Sequence, residues 1–182
     1  MPRLRMIQGD DILKVAEAVM SLLQKELRDE LKAQGHRLTG ALEQSIVYEV
    51  EKTPVGIVGR MYSEDYGLTV NFGVPASRIP YTPGGKRGGT SLYIQGLIEF
   101  WEKRGLADRE AVGAAFATAA VHAREGMPTR ASYRYSSTGD RTGFITTVVN
   151  RNMSRIEELI EEKFGAKLEL RLAGEFNRTI IV

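Results

Sequence analysis

A change of hydrophobic period within the first third of the chain limits what it can fold into. From Ile12 the apolar residues Val15, Val19, Leu22, Leu23, Leu27 and Leu31 keep helical spacing, while Lys14, Glu17, Lys25, Arg28, Asp29 and Lys32 take the opposite face. Asp10 and Asp11 offer an N-cap, and Gly35 supplies the stop. The pattern predicts a long amphipathic helix. From Ile46 the period is two: Ile46, Tyr48 and Val50 alternate with Val47, Glu49 and Glu51. Lys52-Thr53-Pro54 interrupts the run, and "VGIVGRMY" resumes extended character, which predicts a β-hairpin. Between them, "HRLTGALEQSI" predicts one short turn of helix. There Thr39 offers a capping hydroxyl, Gly40 a tight start, and Leu38, Leu42 and Ile46 fall on one face. Glu43 stands in its first turn, where a carboxylate suits the helix dipole.

The remainder alternates polar loops with helical patterns. "SEDYGLTVNFGV" reads equally as short helix or strand. Residues 74–91 hold three prolines, four glycines and three basic residues, the composition of a long functional or mobile loop. Ile94, Leu97, Ile98 and Trp101 mark a helix closed by Gly105, and Asp108 is placed to cap the next. That next helix is expected to bury Val112, Phe116, Ala119 and Ala123, and its many alanines call for a closely approaching neighbour. A second polar loop covers residues 126–141. Phe144, Ile145, Val148, Val149, Ile156, Leu159 and Ile160 then mark a helix with a charged far face. "KLELRL" and "FNRTIIV" read as C-terminal strands. The expected fold class is α+β: a small antiparallel sheet, the hairpin plus C-terminal strands, packed with several amphipathic helices in a single domain over residues 1–182.

Composition bounds the chemistry. A chain of 182 residues with 42% hydrophobic and 26% charged residues is an ordinary globular composition. With no cysteine, disulfides, thiolate catalysis and cysteine zinc sites are excluded. No apolar run has the length of a membrane span, and the first residues lack the apolar core of a signal peptide. His36 and His122 are far apart in sequence, and each reads as a surface or packed histidine. "GGKRGGT" is not a phosphate loop, because Arg87 follows Lys86 where that pattern needs Ser or Thr. Glu64-Asp65 lacks further ligands, and Glu157, Glu158, Glu161 and Glu162 lie beside Arg155 and Lys163 as a solvated helix face. No catalytic, cofactor-binding or metal-binding residue is expected, nor an enzyme.

Two loops carry the candidate interface residues. Arg78, Lys86 and Arg87 lie in the first; Arg130, Tyr133, Arg134, Tyr135 and Arg141 lie in the second. Basic residues interleaved with aromatics suit phosphate contact and base stacking, and equally a protein interface rich in Arg and Tyr. The net charge of +2 does not mark a dedicated nucleic-acid binder.

A long helix, "LTGALEQSI", a hairpin and "YGLTVNFG" in that order resemble the neck (tail-completion) protein family of tailed double-stranded DNA bacteriophages. The family's Thr-Gly-x-Leu-x-x-Ser-Ile is matched by Thr39, Gly40, Leu42, Ser45 and Ile46, and its Tyr followed by Phe-Gly by Tyr66, Phe72 and Gly73. Asn71 stands where the family usually has Glu, and the loop that follows is long. "FWEKRG" and "AVGAAFATAAVHAREGMPTR" are similar to the family's second half, so the resemblance spans residues 10–135. It implies a structural virion protein made in the host cytoplasm, forming a homo-oligomeric ring at the head–tail interface. That ring would join the portal-side connector to the tail, contact other neck and tail proteins, and let genomic DNA through its lumen with weak contacts. It implies no catalytic residue, cofactor or membrane. The alternatives are a tail terminator protein and a nucleic-acid-binding module using the basic loops.

Overall fold

The structure is a computed structural model that describes residues 9–84 and 91–164. The fold is α+β. In chain order it has α1 (Gly9–Ala33), α2 (Ala41–Ser45), β1 (Val47–Thr53), β2 (Gly56–Tyr62), α3 (Tyr66–Phe72), α4 (Leu92–Glu102), α5 (Asp108–Glu125) and α6 (Phe144–Phe164). Two 3₁₀ turns cover Ala76–Arg78 and Arg130–Tyr135. The chain forms two compact units, one up to Gly67 and again from Gly143, the other within Leu68–Thr142.

The first unit is built on the expected amphipathic stripes. Val19, Met20, Leu23, Leu27 and Leu31 of α1 are buried, as are Phe144, Val148, Val149, Ile156 and Ile160 of α6. The two helices pack on each other, and both hairpin strands pack on α1. Gly35, at φ 73°, ends α1 by accepting the left-handed conformation, and the His36 N–H donates back to the Leu31 carbonyl at 2.9 Å. Ile12 is 40% exposed, because the buried stripe begins only two turns later, at Val19. Leu38, expected on the buried face of the elbow, is also exposed; it precedes α2, and only Leu42 and Ile46 turn inward.

The hairpin pairs Val47 with Tyr62 through to Thr53 with Gly56, leaving Pro54-Val55 as a two-residue loop. The predicted alternation holds: Tyr48 and Val50 are half-buried, whereas Val47, Glu49 and Glu51 face solvent. A side chain at Gly59 would start 2.7 Å from Met20 Sδ, so the absence of one lets β2 lie close on α1. A polar tie between residues far apart in sequence joins α1 to α6. Arg151 Nη2 donates to the buried Glu30 carboxylate at 2.6 Å, and Gln34 Nε2 donates to its other oxygen at 3.0 Å. The C-terminal strands read from "KLELRL" and "FNRTIIV" lie outside the described residues.

In the second unit the ambiguous stretch after the hairpin is helical from Tyr66, and α3 runs across the boundary between the units. Ser91 caps α4, its Oγ accepting the Ile94 N–H at 3.3 Å. Asp108 does not cap α5. The N-cap is Ala107, and Asp108 is already in the first turn, at φ 43°. The buried stripe of α5 also differs from the one expected. Ala119 is fully buried as expected, but its buried companions are Ala111 and Ala115, while Val112 and Phe116 are 38% and 39% exposed. The cause is the neighbour that the alanines themselves call for: α4 packs along α5, and methyl-sized side chains allow that approach where Val and Phe would hold the helices apart. Phe116 instead lies against Tyr81, with ring centroids 6.2 Å apart.

The described parts of both polar loops have structure. Val74 and Met127 exchange backbone hydrogen bonds of 2.7 and 2.8 Å, an isolated antiparallel bridge. The glycines flanking it, Gly73 and Gly126, both adopt positive φ; a Cβ on either would lie 2.5 Å from a carbonyl oxygen of the opposite strand. Ile79, just past the first 3₁₀ turn, is buried, and that turn packs on α5.

Candidate interaction surface

The residues of the Thr-Gly-x-Leu-x-x-Ser-Ile stretch form an elbow in the first unit, and its hydrogen bonds are committed to holding an angle. Gly40, at φ 78°, is the N-cap of α2. Thr39 therefore stands one residue earlier than a capping role requires, and its Oγ1 accepts the Ala41 N–H at 3.3 Å. The Ile46 carbonyl, where helix becomes strand, accepts from both Gln24 Nε2 and Arg28 Nη2 at 2.8 Å. Arg28 Nε also reaches the Glu43 carbonyl at 3.1 Å. The Glu43 carboxylate lies 3.0 Å from Lys32 and 3.7 Å from Arg37, so α1 holds both ends of the elbow. Ser45 Oγ donates to the Leu42 carbonyl at 2.8 Å and accepts the Glu64 N–H at 3.0 Å, tying the far end of the hairpin back to α2.

Tyr66 belongs to the same knot. Burial is the main cause raising its phenol pKa, with the Glu64 charge next, and a hydrogen bond to the Leu42 backbone acts the other way. Gly67 is buried beside it, where a Cβ would meet Ser63 Oγ at 2.8 Å and Leu42 Cδ1 at 3.1 Å. The remaining motif residues separate from these: Phe72 is 65% exposed and Gly73 serves the bridge of the second unit.

The second unit gathers an arginine–aromatic cluster. Phe100 and Trp101, at the end of α4, meet edge to face with centroids 5.3 Å apart. Trp101 is fixed by its indole N–H, which donates to Thr118 Oγ1 on α5 at 2.9 Å. The Arg104 guanidinium lies 4.4 Å over Phe100 and 5.9 Å from the centre of Tyr135. Arg134 covers the same tyrosine at 4.8 Å and donates to its hydroxyl at 2.7 Å. That hydrogen bond, followed by the charge of Arg134, lowers the Tyr135 pKa. Arg141 joins through its field: burial, and next the charge of Arg104, lower its pKa, while Tyr133 and Tyr135 act in the opposite direction.

Of the candidate interface residues, the fold thus unites Tyr133, Arg134, Tyr135 and Arg141 and adds Phe100, Trp101 and Arg104, which sequence reading passed over. The signal was present: Arg104 follows Phe100 by one helical turn, the spacing at which side chains meet. Arg78 is exposed on the first 3₁₀ turn, and Arg130 donates its backbone N–H to Glu125 Oε2 at 3.1 Å with its side chain in solvent. Among the described contacts neither joins the cluster. Lys86 and Arg87 lie outside the described residues.

His122 also has a partner that sequence did not reveal. Its Nδ1 lies 2.7 Å from the Tyr93 hydroxyl, a tie between α5 and α4. Burial lowers the imidazole pKa, against a smaller opposing effect of Glu125, and burial raises that of Tyr93. The four glutamates at 157, 158, 161 and 162 lie on the exposed face of α6, and among the described residues no group of three His, Asp or Glu side chains gathers as a metal site. No described helix is long and apolar enough to cross a membrane. No family model, curated protein or solved structure matches the chain.

Proposed function

We propose that the chain is a structural protein of the phage neck, forming a ring at the head–tail interface that connects the portal-side connector to the tail. The observation that carries this reading is the elbow. The motif residues Gly40, Leu42, Ser45 and Ile46, with Tyr66, supply packing and hydrogen bonds that fix the angle between α1 and the hairpin. Their hydroxyl and carbonyl groups meet one another and α1, a framework role. A heterologous interface closes into a ring only when every subunit repeats the same rotation, so a subunit for that purpose needs a rigid internal angle. The near-balanced charge of +2 suits a channel that must let a polyanion slide past, since each neutralised phosphate adds affinity.

A nucleic-acid module is the second reading, and the arginine–aromatic cluster is what favours it. Stacking needs open ring faces. Here arginines of the same chain lie over Phe100 and Tyr135, which weighs toward a protein partner. Negative-stain imaging of the purified protein, alone and on tailed particles decorated with a specific antibody, tests the proposal. Closed rings and label at the head–tail joint are expected. A monomer that binds duplex DNA tightly and salt-sensitively, with no label at the joint, would replace the structural reading by the nucleic-acid one.

A further inference from the structure

We infer that the arginine–aromatic cluster of the second unit is the docking surface for the acidic face of α6 from a second copy of the chain. The inference rests on the ring reading above and names its subunit contact.

The cluster is built to receive carboxylates. A guanidinium stacked on a ring has its planar face occupied and keeps N–H groups along its edge that can grip a carboxylate; Arg134 gives one of its five N–H groups to the Tyr135 hydroxyl. Arg104 and Arg134 are both stacked and both exposed. Elsewhere Arg60, Arg124 and Arg151 each hold a carboxylate within 2.9 Å. Among the described residues Arg104 and Arg134 hold none. Arg141 lies close enough to feel the same field: burial first, and then the charge of Arg104, lower its pKa. The rings around them, Phe100, Trp101, Tyr133 and Tyr135, are the residue types that anchor protein interfaces.

The chain carries the complementary surface. Glu157, Glu158 and Glu161 fall on one face of α6, opposite the buried Ile156 and Ile160, and all three are exposed. None of the three is paired with a described basic side chain. Three carboxylates at one and four residues' spacing on a rigid helix offer an array that two stacked arginines can grip together. Donor patch and acidic face are different surfaces of one chain, so in a ring each subunit's patch takes the next subunit's α6, a head-to-tail contact that propagates. It would also let a strongly charged contact coexist with a net charge of only +2, because each sign is matched by the next subunit.

Charge exchange tests this on the full-length protein. One variant carries Glu157→Lys, Glu158→Lys and Glu161→Lys; the other carries Arg104→Glu and Arg134→Glu. Each alone is expected to weaken self-association by about 100-fold in sedimentation velocity, with circular dichroism unchanged. An equimolar mixture should restore assembly, because the lysine-bearing α6 then meets the glutamate-bearing patch and the two native surfaces meet each other. Restoration excludes misfolding as the cause of the loss. Wild-type assembly by either single variant, a mixture that stays dissociated, or a wild type that never self-associates overturns the inference. Submicromolar binding of a single-stranded oligonucleotide, lost only in the arginine variant while rings persist, would assign the cluster to nucleic acid. The neck reading is scored separately, by label at the head–tail joint: intact rings in both variants with label still at the joint sink this contact alone.

Discussion

The two units achieve a packed interior by opposite means. In the first, α1 and α6 pack on each other through large apolar side chains, with Met20, Leu23, Leu31, Phe144 and Ile156 fully buried. In the second, α5 packs along α4 and buries Ala111, Ala115 and Ala119, and two glycines let backbones cross at the Val74–Met127 bridge. Phe116, Tyr133 and Tyr135 are left exposed, and Arg104 and Arg134 lie over the ring of Tyr135. The difference teaches what each unit is suited to. A core of interdigitated large side chains fixes the elbow and hairpin as a frame. Alanines along α5 bring the helices close and leave Phe116, Tyr133 and Tyr135 on the outer surface. The two interiors should therefore fail under opposite substitutions.

The harshest break is at the crossing in the second unit. Gly126→Val would place a branched side chain at φ 80°, with its Cβ 2.5 Å from the Val74 carbonyl oxygen and 3.0 Å from the Ala76 nitrogen. Strained backbone and backbone overlap together should cost about 4 kcal/mol or more. Hydrogen exchange then sharpens the comparison. Amides of α4 and α5 should lose protection while those of α1 and α6 keep theirs. Equal loss in all four helices would show that the two units unfold as one.

A mirror pair of substitutions comes next. Leu23→Ala in the first unit should cost about 3 kcal/mol, the usual range for an emptied core leucine. Ala115→Leu in the second should cost about 2 kcal/mol, because α4 leaves no room for three more carbons. Phe116→Ala, on the exposed edge of α5, should cost under about 1 kcal/mol. Urea midpoints measure all three. An Ala115→Leu variant as stable as wild type, or a Phe116→Ala variant as damaged as Leu23→Ala, would return the core of α5 to the stripe expected from hydrophobicity alone.

That stripe marks where sequence stopped being legible. The frame was readable because its apolar residues are large and periodic: the stripe of α1 from Val19, that of α6, and the alternation of β1 all fall where hydrophobicity puts them. On α5 the rule misleads. Val112 and Phe116 are the most hydrophobic residues near the centre of the helix, but close approach selects small volume over apolar area, so alanine goes inside. Asp108 misled for a related reason, since a capping residue is identified by one backbone position and sequence sets that position only to within a residue or two. The excursion into the second unit after Gly67 and the return at Gly143 carry no break in composition. The surface cluster was half legible. Arg134, Tyr135 and Arg141 declare themselves by local density, whereas Phe100, Trp101 and Arg104 read as one end of a helix until α4 and the second 3₁₀ turn are brought together.

The smallest effect expected is a pH dependence confined to the second unit. His122 Nδ1 lies 2.7 Å from the Tyr93 hydroxyl, and burial lowers the imidazole pKa below its ordinary 6.5. In the unfolded chain the ring takes a proton near that ordinary value, so below it the unfolded state binds more protons than the folded one. The stability tied to the neutral pair is thus fully present above pH 6.5 and is lost as pH falls toward the depressed folded value. Glu125, whose pKa is lowered from 4.5 chiefly by its hydrogen bond from Arg124, responds only in a more acidic window and is separable. In the tautomer with its proton on Nε2, Nδ1 accepts from the Tyr93 hydroxyl, and protonation would turn it into a donor. Tyr93 would then have to give up its donating role, and its own proton is held firmly, since burial raises its pKa. Thermal melts from pH 5 to 8 should show wild type losing stability below about pH 6.5 and His122→Gln losing less. The imidazole carbon-bound proton resonances of His122 should titrate below 6.5 in wild type and move upward in Tyr93→Phe only if the hydroxyl favours the neutral ring. A His122 that titrates above its ordinary value would reverse the sign, and would mean that Glu125, not burial, governs the ring.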